Sequence, residues 1–199
     1  MDFQSALFIY IIIILSAIVH EYGHAWAALK QGDPTAKYAG RLTLNPLAHI
    51  EWFGTVILPL ILMYFSGMFF GYAKPVPINP YNFRDQRRGI IWVSLAGVAA
   101  NFLIAIILGI FMRFFSNFSL NPLLEFVVFV NIQLGLFNLL PFPPLDGSKL
   151  LAALVAGSSA RWRALAENPF GVIIAIFVAL TFLPRLSQLI FELITGLNI

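Results

Sequence analysis

The sequence predicts an all-α polytopic membrane protein, and three observations carry that prediction. Of its 199 residues, 60% are hydrophobic and only 11% charged, against about 45–50% and about 25% in soluble globular domains. Apolar runs such as "LFIYIIIIL" recur along the chain, and at about 20 residues per spanning helix they leave room for about five to six membrane segments. The lysines and arginines gather in short stretches between those runs, as loop charges do in membrane proteins. The length points to a single domain over residues 1–199.

Each segment has its own signal. The first covers about 4–29. It lacks the positive start of a secretory leader, Asp2 being its only early charge, and its apolar run is long for one, so it is expected to stay as a mature helix. The second, 52–72, holds Gly54, Pro59, Gly67 and Gly71, which permit a broken path where protein covers the backbone. The third and fourth, about 90–112 and 122–141, are long apolar runs. The prolines of "PFPPLDG" must interrupt the chain before a short helix at about 147–156. A fifth apolar run covers about 169–183. The tail, "LPRLSQLIFELITGLNI", mixes charge with apolar residues like an interfacial or packing helix.

Charge placement sets the topology. Lys30, Lys37 and Arg41 follow the first segment. Lys74, Arg84, Arg87 and Arg88 precede the third. Lys149, Arg161 and Arg163 follow the fourth. Ten of the twelve positive residues thus fall in three loops, with Arg113 and Arg185 elsewhere. The positive-inside rule puts all three loops in the cytoplasm, so the segment at 52–72 is expected to leave and return on one side as a re-entrant hairpin or half-helix pair, the alternative being a simple span with one charge-rich outside loop. The net charge of +3 is therefore read as loop topology, and no basic stretch is dense enough for nucleic acid. Cysteine is absent, which excludes disulfides and thiolate metal sites.

Within the first segment stands "VHEYGHAW". Residues four apart lie on one helical face, so His20 and His24 can turn their imidazoles to one ion. This is the H-E-x-x-H pattern, two zinc-binding histidines with the glutamate, Glu21, as general base. Five residues match by chance in many soluble proteins. Inside a membrane helix, however, ionisable residues are costly and functional by default. A catalytic zinc takes three protein ligands and keeps one open position. The candidates for the third are Asp146, His49, Glu51 and Glu125. Depth favours Asp146, at the inner end of the fourth segment, with His49 second. Asp33, Asp85 and Glu167 read as solvated loop charges.

"HEYGHAWAA" together with "NLLPFPPLDG" resembles the site-2 protease family of intramembrane zinc metalloproteases, in its compact bacterial form without a PDZ domain. The loops "GDPTAKYAGRLTLNPLAHIEWFGT" and "GYAKPVPINP" are similar to that subgroup's, so the resemblance covers roughly residues 16–150. It implies one Zn2+ per chain held by His20, His24 and Asp146, with Glu21 as the acid/base. It also implies that Asn138, eight residues before Asp146, holds the substrate backbone. By residue type alone, Asn138 shares a stripe with Asn131 and Gly135 that would equally serve helix packing. "SLAGVAANF" resembles the family's Ala-Gly-Pro-x-x-Asn stretch with Val98 in place of proline, and puts Asn101 near the cleft as a second substrate-binding residue.

The expected function is a single membrane-embedded zinc metalloprotease domain, multi-pass in the cell membrane with its site toward the cytoplasm. Its partners are the bilayer and a transmembrane protein substrate, cut in or near the membrane, with no nucleic acid. The substrate would be held by strand addition to "AKYAGRLTLN", whose Tyr38, Leu42 and Leu44 favour an extended form, or to "AKPVPINP". The alternative is a metal-ion transporter or channel using the same ligands. That reading leaves Glu21 without a task.

Overall fold

Helix ends fall where capping chemistry puts them. The computed structural model describes residues 3–66, 73–115, 120–155 and 170–197, and among these all regular structure is helical. In chain order the helices are α1 (Phe3–Gln31), α2 (Thr35–Tyr38), α3 (Leu58–Ser66), α4 (Gln86–Phe114), α5 (Asn121–Leu139), α6 (Asp146–Leu154), α7 (Phe170–Thr181) and α8 (Leu183–Thr195). Short 3-10 turns occupy Pro46–His49 and Pro80–Asn82, and a π-helical turn, Trp52–Ile57, runs into α3.

α4 starts before its apolar run because the Asp85 carboxylate accepts the Arg88 N–H, 2.9 Å, as an N-cap. α5 stops at Leu139 because Pro141 brings no N–H to continue it. Gly196, with φ 73°, ends α8 in the left-handed conformation that glycine tolerates best.

α1, α4 and α5 are long and apolar enough to cross a membrane. α4 is central, packing on both α1 and α5, while α8 lies across α4 and α5. Ala105 and Met112 of α4, Val128 and Ile132 of α5 and Phe191 of α8 form one buried cluster. Their outward faces carry exposed apolar residues such as Leu7, Ile11, Leu103 and Ile107, as lipid-facing helices do.

The second apolar segment opens with a π-helical turn. Its described residues form that turn, of six residues, followed by nine α-helical residues. Its two flanks meet: the Lys74 N–H donates to the His49 carbonyl at 2.9 Å. The Tyr10 hydroxyl ties it to α1 through the Thr55 carbonyl at 2.6 Å. Gly67, Gly71 and Tyr72 lie outside the described residues, as do Arg161, Arg163 and Glu167.

Two loop expectations change. "AKYAGRLTLN" is not extended at its start, since Thr35–Tyr38 is helical. The Asp33 carboxylate accepts the Thr35 N–H at 3.1 Å and the Thr35 hydroxyl, which fixes that turn. Asp33 itself is not a solvated charge but fully buried. It also accepts from the Asn79 N–H, 2.7 Å, and the Asn82 amide, 2.8 Å, stapling the loop after α1 to the loop before α4. Asp85 is a half-exposed cap, close to the solvated reading.

Candidate metal centre and active site

α1 and α4 approach so closely that only glycine fits between them at the site. A Cβ on Gly97 would stand 2.5 Å from His24 Nε2 and 2.8 Å from His20 Cε1. His20 and His24, one turn apart on α1, fill the space that Gly97 leaves. Asp146 arrives from the other side as the first residue of α6, after the turn at 140–145. Gly147 makes that turn possible: a Cβ there would meet the Leu139 carbonyl oxygen at 2.2 Å. The prolines thus do what the sequence requires of them, stopping α5 so that Asp146 can turn inward.

The three side chains are buried, at 6%, 5% and 6% exposure for His20, His24 and Asp146. Asp146 Oδ2 lies 3.0 Å from His20 Nε2 and 2.9 Å from His24 Nε2, and the two Nε2 atoms are 2.9 Å apart. The hydrogen-bond network settles which nitrogens carry protons. Asn101 donates both amide hydrogens, to the Ser16 carbonyl at 3.2 Å and to Asn131 Oδ1 at 2.8 Å. Its oxygen is therefore the atom that accepts the His20 Nδ1–H, at 2.7 Å. His24 Nδ1–H donates to the Val93 carbonyl at 2.7 Å, which can only accept.

Both Nε2 atoms are then bare lone pairs, facing each other and a carboxylate oxygen in a buried pocket. Three converging acceptors repel unless a cation stands among them. Two imidazoles and a carboxylate, each oriented by a further hydrogen bond, form the donor set of a catalytic zinc site. The residues therefore fit the metal that the sequence motif implies. Among the described residues, the group of histidines and carboxylates placed to share a metal is His20, His24 and Asp146.

The other candidates fall elsewhere. His49 is buried, donates to the Thr43 carbonyl at 2.8 Å and serves its own loop. Glu51 caps the π-helical turn, accepting from Phe53 and Gly54 N–H groups. Glu125 sits in the first turns of α5, at the opposite end of that helix from the turn that leads to Asp146. Asn101 is fully buried behind His20, with its oxygen and both hydrogens engaged inside the bundle, so it faces a histidine and not a cleft. Asn138 is half-buried and its amide donates to the Leu134 carbonyl of its own helix at 3.0 Å. Asn131, read as a packing residue, is the outer member of the His20 network, donating to Ser16 Oγ at 3.0 Å and the Val127 carbonyl at 2.9 Å.

Two contacts escaped the sequence. Lys149 Nζ donates to Asp146 Oδ1 at 2.8 Å, leaving Oδ2 to the histidines. The i, i+3 spacing of the pair is its signal in the sequence, where charge placement alone marks Lys149 as a loop charge. Glu21, half-buried beside the histidines, accepts the Val76 N–H at 2.7 Å through Oε2. No side-chain pattern announces a backbone donor 55 residues away.

Comparison with known proteins agrees with this geometry. The model of peptidase family M50 matches residues 8–120 and 115–183. A Bacillus subtilis protein named "Putative zinc metalloprotease YwhC" is 39% identical over 86% of this chain and 80% of its own length. Mycolicibacterium smegmatis "Putative zinc metalloprotease Rip2" is 31% identical over 91% of this chain and 69% of its own. "Zinc metalloprotease MJ0392" of Methanocaldococcus jannaschii is 26% identical over 74% of this chain but only 34% of its own. No solved structure matches. With the family match running through both halves of the site, the chain belongs to peptidase family M50, the site-2 protease family of zinc metalloproteases.

Proposed function

We propose that His20, His24 and Asp146 ligate one zinc ion per chain, and that Glu21 is the acid/base of an intramembrane endopeptidase. The observation that carries the assignment is the convergence of two bare Nε2 atoms and Asp146 Oδ2 within 3.0 Å, with Glu21 beside them. These residues would hold a zinc ion, which would supply Lewis acidity and lower the pKa of a water to about 7. Glu21 takes the water's proton as it attacks the scissile carbonyl and returns a proton to the leaving amine. Asn101 and the Val93 carbonyl hold the imidazoles in the ligating tautomer. Lys149 holds Asp146 by its other oxygen.

The substrate is a transmembrane segment of another protein, cut in or near the bilayer after it unwinds. Residues 1–199 act as one membrane-embedded domain of about five to six segments. The re-entrant path at 52–72 is supported by the hydrogen bond joining its flanks. The charges of the three loops orient the site toward the cytoplasm. In the stretch 73–79 the Lys74, Val76 and Asn79 N–H groups are spent on the His49 carbonyl, Glu21 and Asp33, and Pro75 and Pro77 carry no N–H. Strand addition there is poorly served, and Asn138 is the better candidate for holding substrate. Family membership favours proteolysis over metal transport.

Purified protein is expected to carry about one zinc per chain, and Glu21→Gln to keep the zinc while losing cleavage of a single-span model substrate. Cleavage at the wild-type rate by Glu21→Gln would falsify the general-base role.

A further inference from the structure

The stretch 73–79 is fixed at four points. Lys74 N–H donates to the His49 carbonyl at 2.9 Å, and the Arg41 guanidinium donates to the Lys74 carbonyl at 2.6 Å. The Val76 N–H donates to Glu21 Oε2 at 2.7 Å, and the Asn79 N–H to Asp33 Oδ2 at 2.7 Å. Apolar contacts add to these bonds. Val76 is buried with Ala25 and Ala36, and Ile78 packs against both that cluster and the one holding Ala28, Phe83 and Val93.

Prolines at 75 and 77 fix φ on both sides of Val76 and carry no N–H of their own, which leaves Val76 as the one backbone donor of the three residues. The Val76 amide is thus presented in one direction, toward one oxygen of Glu21. A glutamate on a helix otherwise samples several rotamers. A backbone donor bonded to an ionised carboxylate is a strong, directional restraint.

We infer that the Val76 backbone N–H is a positioning group for the reaction. It holds Glu21 by Oε2 and so reserves Oε1 for the proton of the attacking water. Val76 itself is buried, and the stretch is pinned on both sides of it, which marks it as a scaffold and not as a lid. This rests on the assignment of Glu21 as acid/base, and it adds a second element, distant in sequence, to that assignment.

The test removes the donor hydrogen, with proline placing its Cδ where the hydrogen stood. Val76→Pro removes the N–H in a stretch already extended between prolines. In full-length enzyme in micelles with a single-span model substrate, kcat is expected to fall by about 10- to 100-fold, as for an acid/base misplaced by about 1 Å. KM and zinc content should stay close to wild type. Val76→Ala keeps the N–H and trims the packing, so its kcat loss should be clearly the smaller. Should Val76→Pro lose zinc or fail to fold, the variant carrying the α-hydroxy acid analogue of valine at 76 decides. That ester linkage replaces the N–H with an oxygen and adds no bulk, and its kcat should fall with KM unchanged.

Equal losses in Val76→Pro and Val76→Ala overturn the inference, since packing then explains both. Wild-type kcat in the ester variant, or a rise in kcat on removing the N–H, overturns it as well. If Glu21→Gln itself still cleaves, the acid/base assignment has failed. If Glu21→Gln is dead while the ester variant is fully active, only the positioning role has.

Discussion

Asp146 and Asp33 are both hidden from solvent, at 6% and 0% exposure, and both close contacts between distant parts of the chain. Their surroundings are opposite. Asp33 is ringed by donors: the Thr35 N–H and hydroxyl, the Asn79 N–H and the Asn82 amide. Its charge is fully met by the protein. Asp146 gives Oδ1 to Lys149 but turns Oδ2 toward two imidazole nitrogens whose protons lie on their far sides. One carboxylate is complete, and the other needs a cation.

Burial of a charge therefore says little about its role until the polarity of its neighbours is read. A saturated carboxylate is a staple. A carboxylate facing lone pairs is a ligand. The exposed Asp85, which caps α4 through the Arg88 N–H, is a third and milder use of the same side chain.

Substitutions should separate these roles. Asp146→Ala or His20→Ala has the largest expected effect, removing the zinc and reducing turnover to background, read by metal content and cleavage together. A variant that keeps full zinc would end the contrast with Asp33. Asn101→Ala takes away the acceptor that fixes the His20 tautomer, and zinc affinity measured by chelator competition should fall about 10- to 100-fold.

Asp33→Asn should leave zinc stoichiometry alone while lowering unfolding free energy by about 2 kcal/mol, because donors now face an amide. Burial raises the Asp33 carboxyl, but hydrogen bonds from Thr35, Asn79 and Asn82 outweigh it and hold the group below the usual carboxylate range. A group so depressed contributes its stability above the unfolded pKa and loses it as pH falls through the folded one. The gap between wild type and Asp33→Asn should thus narrow below about pH 4. A gap that widens toward acid would contradict the staple. Asp85→Ala should cost least, about 1 kcal/mol of stability, with zinc and kcat near wild type.

What could be read early follows the range of the interactions. His20, Glu21 and His24 declare themselves because one helical turn sets their geometry. The membrane helices were legible from the length of their apolar runs, and the short helix after the prolines from the loss of the N–H. The start of "AKYAGRLTLN" is helical and not extended, and its signal is local: Asp33 followed by proline, with Thr35 bonded back to the carboxylate, opens a helical turn. In the sequence, Tyr38 and the leucines beyond it outweigh that signal.

Composition, charge placement and the two short motifs were enough to determine an all-helical membrane peptidase with His20 and His24 side by side. Each rests on periodicity or on covalent properties of residue types, which travel with the sequence. Only the tertiary structure decided that Asn101 orients His20, that Asp33 is a staple and that Glu21 is held by the amide of Val76. Those pairs lie 81, 46 and 55 residues apart in the Asn101–His20, Asp33–Asn79 and Val76–Glu21 contacts. Backbone groups and buried amides take their partners from whatever packing brings near, and no local pattern encodes that choice.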